Sequence, residues 1–510
     1  MIQLAVGILI TAATWLGLRR LVGARLLGTP GRARWAILLL DALPPFAGFA
    51  LFLLAVQRPI MSALAILALG IGMGVADRVK RTILGEPVVF ADRAELIELV
   101  RHPRLYLAFI GIWRMILATA ACVGIVALLL WVEPRLWDPG VVYFWPRAIV
   151  AALIGRLLFR LPGRPPLLGW LANRYRGFGP SRDPIVDARQ FGLLASCIIH
   201  ATLARDERAD RQQAAQARDW PAIPDVGPIV IVQGESFVDP RQLHPALATL
   251  VPGFAGLQRD AVLHGRLTVP CWGANTIRSE LAVLTGLGGD DIGLDSYNPY
   301  EHFARVALPS LASAARAGGY RTICIHPYNP DFYYRDKVMP LLGFDQFIGI
   351  EGFAGAPRRG PYVSDVAVAE RIARAIADHG PKVFVFAITM ENHGPWDSEH
   401  DSIDPVPLPA DWGRIDAEVA LGRWLRHLES SDAMIPIVRD AIGDRGWMIF
   451  YGDHQPSLAG PFHAPEAPDR RTDYAVWGAG VAAGARTDLA AEGLPGALLA
   501  AIEDARRRAV

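Results

Sequence analysis

Apolar positions crowd the first third of the chain and then give way to a shorter, alternating pattern. Five apolar runs, at 2–18, 35–56, 59–76, 107–132 and 141–161, come close to the roughly 20 residues an α-helix needs to cross a hydrocarbon core. They predict an N-terminal α-helical transmembrane bundle of about five spans. Pro44 and Pro45 sit inside the second run, where neighbouring helices can satisfy the freed carbonyls. Arg114 lies in the fourth run, and Arg147 and Arg156 lie in the fifth. Such cations must snorkel or face protein or water. A cleaved signal peptide does not suit the first run, because Arg19 and Arg20 stand where small cleavage-site residues belong.

The stretch after the runs reads as a connector. It opens near Leu161-Pro-Gly-Arg-Pro-Pro, holds an apolar stretch at 190–203 and ends in a polar helix at 205–219. From about 226 the pattern changes to short β-rich runs, at 228–233, 321–326, 383–389 and 447–451, apolar on both faces as in buried parallel strands. Helical segments at 308–318, 364–379 and 416–443 lie between them. This alternation predicts an α/β domain with a mostly parallel central sheet. The expected domains are a transmembrane helical domain at 1–165, a connector with interfacial or amphipathic helices at 166–225, and the α/β domain at 226–510.

Composition narrows the partners. A net charge of +1 over 510 residues argues against nucleic acid. The four cysteines, at 122, 197, 271 and 324, form no CxxC pair, so neither a disulfide scaffold nor a thiolate zinc site is expected. Lysine occurs only at 80, 337 and 382, and arginine carries the remaining basic charge.

The chemistry sits where the strands end. Gln233-Gly-Glu235-Ser follows the first run, His326 ends the second, Met390-Glu391-Asn-His393 follows the third, and Gly452-Asp453-His454 follows the fourth. Ligands of open α/β sheets lie beyond the carboxyl ends of the strands. A lone Asp-His is usually a turn, but four such ends deliver carboxylates and imidazoles to one rim. The donor set, oxygen and imidazole without thiolate, suits Mn²⁺, Mg²⁺ or Zn²⁺. Between the first two strands lies Gly273-Ala-Asn-Thr276-Ile-Arg-Ser-Glu280, leading into an apolar helical run. Thr276 there would face an anion at a helix N-terminus, where a bound metal would activate its hydroxyl. Taken by itself, the segment reads more readily as an ordinary helix cap by Asn275 or Thr276.

Taken in order, these segments resemble the lipoteichoic acid synthase-like family of phosphoglycerol transferases. The matching residues are Gln233-Gly-Glu235-Ser236, Gly273 to Glu280, His326-Pro-Tyr-Asn-Pro-Asp-Phe-Tyr333-Tyr-Arg335, Gly343-Phe-Asp-Gln-Phe, Thr389-Met-Glu-Asn-His393-Gly-Pro and Gly452-Asp453-His454-Gln-Pro. The resemblance implies five spans followed by a sulfatase-like catalytic domain. It implies one divalent metal, Mn²⁺ before Mg²⁺ or Zn²⁺, held by Glu235, Thr276, Asp453 and His454. Thr276 would be the nucleophile. His326, Arg335 and His393 would grip the phosphoryl oxygens or the glycerol beside Tyr333, where the family often has tryptophan, and His326 or His393 would move the proton. Without that context, Arg335 reads as a surface partner of Asp331 or Asp336, and His393 before Gly-Pro reads as a turn.

The implied partners are a phosphatidylglycerol donor, a cell-envelope glycan acceptor and the membrane. The implied location is a bacterial cytoplasmic membrane with the catalytic domain outside. Loop charge points the other way: Arg19, Arg20, Arg25, Arg32 and Arg34 follow the first run, and Arg78, Lys80, Arg81, Arg93, Arg101 and Arg104 follow the third. The ordered motif set is the more specific signal, and the expectation follows it. The lysine-poor composition points to a Gram-negative host and hence to a periplasmic glucan or polysaccharide. Three alternatives keep the same residues. One is a phosphoethanolamine transferase, a class usually stapled by several disulfides. Another is a sulfatase or phosphodiesterase, although the Cys-x-Pro-x-Arg motif of formylglycine sulfatases is absent at Cys271. The third is a non-catalytic membrane scaffold.

Overall fold

The computed structural model describes residues 1–24, 31–101, 112–137, 143–397, 401–413, 417–458 and 470–509. The chain divides into two compact units, Met1–Thr82 with Glu86–Ala209, and Ile83–Gly85 with Asp210–Val510.

The first unit is helical. Three helices, Ile2–Leu21, Ala33–Val56 and Pro59–Leu84, are long and apolar enough to cross a membrane. Leu9, Leu16, Leu39 and Leu69 on them are exposed, as lipid-facing side chains must be. The expectation of about five spans is met for three among the described residues. In the fourth run, 107–111 lies outside the described residues, and Thr119–Val132 is a shorter apolar stretch of the helix Ile112–Val132. The fifth run forms Phe144–Arg160, which is only 17 residues long and carries Arg147, Arg156 and Arg160.

A buried ion pair lies inside this unit. Arg19 lies 2.7 Å from Asp41, which also accepts from the Trp15 indole at 2.8 Å and the Ala195 amide at 3.0 Å. The connector differs from the pattern reading. Its apolar and polar stretches form one helix, Leu193–Gln216, preceded by Pro184–Phe191, whose N-cap Asp183 accepts from the Ile185 and Val186 amides. The break between them is Gly192 at φ +100°, where an added Cβ would come within 2.5 Å of the Asp41 carboxylate.

The second unit is built on a sheet. In chain order its strands are β1 Ile229–Gly234, β2 Leu263–Thr268, β3 Arg321–Ile325, β4 Gln346–Ile348, β5 Arg358–Arg359, β6 Tyr362–Val363, β7 Val383–Ile388, β8 Trp447–Gly452, β9 Arg471–Gly478 and β10 Leu489–Ala490. Eight form one sheet in the order β10-β2-β9-β8-β1-β7-β3-β4, and β5 with β6 makes a separate hairpin. The four runs read from the sequence are β1, β3, β7 and β8, all mutually parallel through β1 and β7. Strand β9 runs antiparallel between β8 and β2, so the sheet is mostly parallel.

Alternate residues of the central strands feed two cores. Ile229 and Ile231 of β1, with Phe384 and Phe386 of β7, pack with Leu281, Leu311 and Leu498 on one face. Val230 and Val232, with Val383 and Val385, pack with Phe254, Ile372 and Leu425 on the other. Helices Ile277–Thr285, Leu311–Ala317 and Leu494–Ala509 thus cover one face, and Pro252–Asp260, Asp365–His379 and Glu418–Ile442 cover the other. Each fully buried aliphatic or phenyl side chain contributes about 1.5–3 kcal/mol of burial free energy. That explains why β1 and β7 are apolar along nearly their whole length. Register then sets the site, since Gly234 of β1 pairs with Gly452 of β8 and Gln233 with Ile388 of β7. Three strands therefore stop at one level.

Candidate metal centre and active site

The chain beyond these strand ends turns sharply. Just after β1, the Glu235 amide donates to the Thr389 hydroxyl at 2.9 Å, and Ser236 takes φ +50°. The Ser236 amide then donates to Asp453 Oδ1 at 2.8 Å, tying the end of β1 to the end of β8. The Ser236 hydroxyl lies 3.1 Å from Glu235 Oε1. On the far side, Ser279 of helix Ile277–Thr285 donates to the Asp453 carbonyl at 2.6 Å.

Glu235, Asp453 and His454 are all buried, and each offers a ligand atom within 4.8 Å of the others. His454 Nε2 lies 3.5 Å from Glu235 Oε1 and 3.4 Å from Asp453 Oδ2. Its Nδ1 faces the Gln455 carbonyl at 3.0 Å, which leaves Nε2 as the nitrogen turned to the two carboxylates. Asp453 Oδ2 is buried and has no well-formed hydrogen bond. Two buried carboxylates, one with an unpartnered oxygen, and the His454 Nε2 thus converge on one point, an arrangement suited to a cation. Burial, and then the Asp453 charge, push Glu235 well above the usual carboxylate range. Burial also raises Asp453, against the His454 charge and several hydrogen bonds. Both shifts express the same need for positive charge. The residues fit a divalent metal; their donor types leave Mn²⁺, Mg²⁺ and Zn²⁺ all compatible.

Thr276 stands at the N-cap of helix Ile277–Thr285, but its side chain makes no capping bond. It reaches the Asp453 carboxylate instead, favouring the ionised form there. Asn275 precedes it at φ +67°, a left-handed conformation asparagine tolerates. The ordinary-cap reading of this segment therefore does not hold for the Thr276 hydroxyl.

His326 and Arg335 lie together. His326 Nδ1 sits 3.2 Å from the Ile388 carbonyl, and its Nε2 lies 3.3 Å from Arg335 Nη1. Burial, then the Arg335 charge, lower the His326 pKa well below the ordinary value. Arg335 is 2 % exposed and pairs with Glu280: its Nε donates to Oε2 at 3.1 Å and its Nη2 to Oε1. It is therefore not a surface partner of Asp331 or Asp336. Its two-pronged face is occupied by protein, leaving the Nη1 side toward His326. Tyr300 donates to Glu280 Oε2 at 3.2 Å.

His393 is half-buried, with Nδ1 2.7 Å from the Gly394 carbonyl. Burial lowers its pKa to about 4, and the charge of nearby His454 adds to the shift. Tyr333 carries φ +54°, its hydroxyl is 3.5 Å from Asn275 Oδ1, and the Arg335 guanidinium lies 5.6 Å from its ring centre. Glu235, Thr276, Tyr333, His326, Arg335, His393, Asp453 and His454 thus share one rim.

Three contributors carry no assigned role in the sequence reading. Glu280 stands in the helical motif, four residues after Thr276, and that spacing places both on one helix face. Thr389 supports Glu235 through its backbone, and Ser279 supports Asp453. Neither contact has a sequence signature, because each joins segments far apart in the chain.

Comparison with known proteins identifies the family of the domain that carries this site. Residues 228–491 match the sulfatase family. The capsular polysaccharide biosynthesis protein RkpI of Rhizobium meliloti (strain 1021) is 31 % identical over 469 residues, which is 88 % of this chain and 82 % of that protein. The lipooligosaccharide phosphoethanolamine transferase EptA of Neisseria meningitidis, an integral membrane protein, superposes with a TM-score of 0.54 at 12 % identity, covering 97 % of this chain and 95 % of that one. The Streptococcus pyogenes phosphoglycerol transferase GacH gives a TM-score of 0.46 at 20 % identity over 59 % of this chain and 80 % of its own. The motif match over more than half the chain, with a relative aligned along most of its length, shows that the chain belongs to the sulfatase family.

Proposed function

We propose that the protein is a membrane-bound, metal-dependent phosphoglycerol transferase that moves glycerophosphate from phosphatidylglycerol to a cell-envelope glycan. The observation that carries this reading is the Thr276 side chain, free of capping duty and turned to the Asp453 carboxylate beside a cation-shaped set of acceptors. A hydroxyl in that position is a nucleophile for phosphorus. The ordered motifs supply the donor class, and a relative in capsular polysaccharide biosynthesis supports a glycan acceptor.

Glu235, Asp453 and His454 would hold the divalent ion together with Thr276. When bound, the ion supplies Lewis-acid charge neutralisation, the dominant need of phosphoryl transfer. Thr276 Oγ1 attacks the phosphorus of phosphatidylglycerol, and the bond to the diacylglycerol oxygen breaks. His393, neutral and with Nδ1 held by Gly394, accepts the threonine proton at Nε2 and passes it to the departing oxygen. Diacylglycerol leaves, and glycerophosphate remains esterified to Thr276. The glycan hydroxyl then gives its proton to His393 and attacks the same phosphorus; the bond from phosphorus to Thr276 Oγ1 breaks, and His393 returns the proton to Oγ1. His326 stays neutral between the Ile388 carbonyl and Arg335, and Arg335, its fork filled by Glu280, would face the phosphoryl group only with the Nη1 edge it shares with His326. Tyr333 lines the glycerol side. The catalytic unit faces the extracytoplasmic side, where such acceptors lie.

A phosphoethanolamine donor would use the same residues. The four cysteines of this chain are all free, which speaks against that disulfide-stapled class. The test is turnover by the full chain in lipid nanodiscs with Mn²⁺. Diacylglycerol release from phosphatidylglycerol, and not from phosphatidylethanolamine, supports the proposal. The reverse preference, or release from neither, contradicts it.

A further inference from the structure

Glu391 lies three residues beyond the end of β7 and two before His393, yet it is turned away from the metal ligands and is buried elsewhere. Its carboxylate is the meeting point of three other segments. The His427 Nδ1, from the middle of helix Glu418–Ile442, lies 2.9 Å from Glu391 Oε1. Arg359 Nε of the β5–β6 hairpin lies 3.2 Å from the same oxygen. The Asp365 amide, in the first turn of helix Asp365–His379, donates to Oε2 at 2.8 Å. His427 continues the line, since its Nε2 lies 3.1 Å from Asp401 Oδ2. Asp401 in turn accepts from the Ile403 amide at 3.2 Å.

An imidazole between two buried carboxylates is held in the imidazolium form. Burial alone would lower its pKa, but the bonds to Asp401 and Glu391 raise it to about 9. A buried run of carboxylate, imidazolium and carboxylate is costly to assemble and strongly destabilised when one member is removed. It is therefore rigid, and what it holds is specific. Glu391 fixes the chain leading into His393. The β5–β6 hairpin is gripped twice, by Arg359 on Glu391 and by the Tyr362 hydroxyl 3.5 Å from His393 Nδ1. The tight turn at Gly360, φ +59°, passes beside Asp401, and an added Cβ there would lie 3.1 Å from Asp401 Oδ1.

We propose that Asp401, His427 and Glu391 form a positioning line that sets the height and orientation of His393 over the metal centre, with the β5–β6 hairpin as its second support. None of the three touches substrate; they act through His393. The proposal rests on His393 being the proton carrier of the transfer, and it extends that role to residues on the opposite side of the loop. A misplacement near 1 Å at a proton-transfer group lowers the rate about 100-fold, which is the size of effect such a line guards against.

The test uses the full chain in phosphatidylglycerol nanodiscs, with His427→Gln and Asp401→Asn. The first keeps one hydrogen bond, and the second keeps the shape of the carboxylate. Two readouts are taken: steady-state diacylglycerol release, and hydrogen exchange of the peptide spanning 389–397 with Mn²⁺ affinity measured alongside. The expected result is a kcat reduced roughly 10- to 100-fold with KM and Mn²⁺ affinity changed less than about twofold. Faster exchange should be confined to 389–397 and the hairpin at 358–363. Unchanged kcat in both variants overturns the proposal. So does a loss of kcat in which the 389–397 peptide exchanges as in the wild type, or in which Mn²⁺ affinity collapses in parallel. If one variant fails to fold, the other decides. If the wild type releases no diacylglycerol, the phosphoglycerol reading fails, and the exchange pattern with retained Mn²⁺ affinity still decides the positioning line.

Discussion

At the residue scale the site is a set of ligand atoms turned to one point while their neighbouring atoms are held by protein. His454 commits Nδ1 to the Gln455 carbonyl and turns Nε2 to two carboxylates, while Arg335 commits its fork to Glu280. These choices were half legible in the sequence. The ligand types stood at the strand ends, so Glu235, Asp453, His454, His326 and His393 could be named from local pattern alone. What each atom does depends on a partner tens of residues away. Thus Arg335 reads as a phosphate fork until Glu280 is seen to fill it. The Glu280–Arg335 pair is buried, so Glu280→Ala leaves an unpaired guanidinium and should cost about 3–5 kcal/mol in a denaturant melt. Glu280→Gln, which keeps the shape and one accepting oxygen, should cost less. His427 gives a pH signature. Its folded pKa of about 9 lies above the ordinary 6.5, so its stabilisation is full below pH 6.5 and is lost as pH rises through 9. The wild type should melt higher than His427→Gln by the largest margin near pH 6, with the two converging above about pH 9.

At the element scale, the catalytic level is set by where β1, β7 and β8 stop together. Their apolar runs were readable because both faces are buried, which leaves no alternation to confuse with a helix. Strands β2 and β9 were not, since β2 mixes His264, Gly265 and Arg266 with apolar residues and its pairing is with a strand about 200 residues later. The connector was misdivided for a related reason. A change from apolar to polar composition reads as a boundary, but helix Leu193–Gln216 runs through it with unbroken hydrogen bonding. Gly452, the last residue of β8, shows how tightly the level is fixed. A Cβ there would come within 1.9 Å of the Phe237 carbonyl. Gly452→Ala should therefore shift the Asp453–His454 turn. The expected outcome is a loss of more than about 2 kcal/mol in stability, with Mn²⁺ affinity reduced at least tenfold by calorimetry. Wild-type affinity in that variant would show that the turn is not placed by this contact.

At the scale of the whole molecule, a helical unit with lipid-suited surfaces carries a sulfatase-family unit. Hydropathy alone revealed the first, and three of the five runs form helices that meet the length and charge limits of a span. Of the other two, Phe144–Arg160 is short and carries three arginines. Orientation is the open choice between loop arginines and chemistry, and the proposed acceptor requires the catalytic unit outside. A cysteine at exposed Asp444, with Cys122 and Cys197 changed to serine, should be labelled by a membrane-impermeant maleimide in spheroplasts. Labelling only after lysis would place the unit in the cytoplasm and remove the glycan acceptor.

The central claim is that Thr276 carries the transferred group, and one measurement addresses it directly. The purified full chain is incubated with phosphatidylglycerol and Mn²⁺, quenched in acid and digested, and the peptide containing Thr276 is examined by mass spectrometry. The account predicts a glycerophosphate adduct on Thr276, missing in Thr276→Ala and missing when the metal is chelated. Diacylglycerol release with the adduct on another residue, or full turnover by Thr276→Ala, would contradict it.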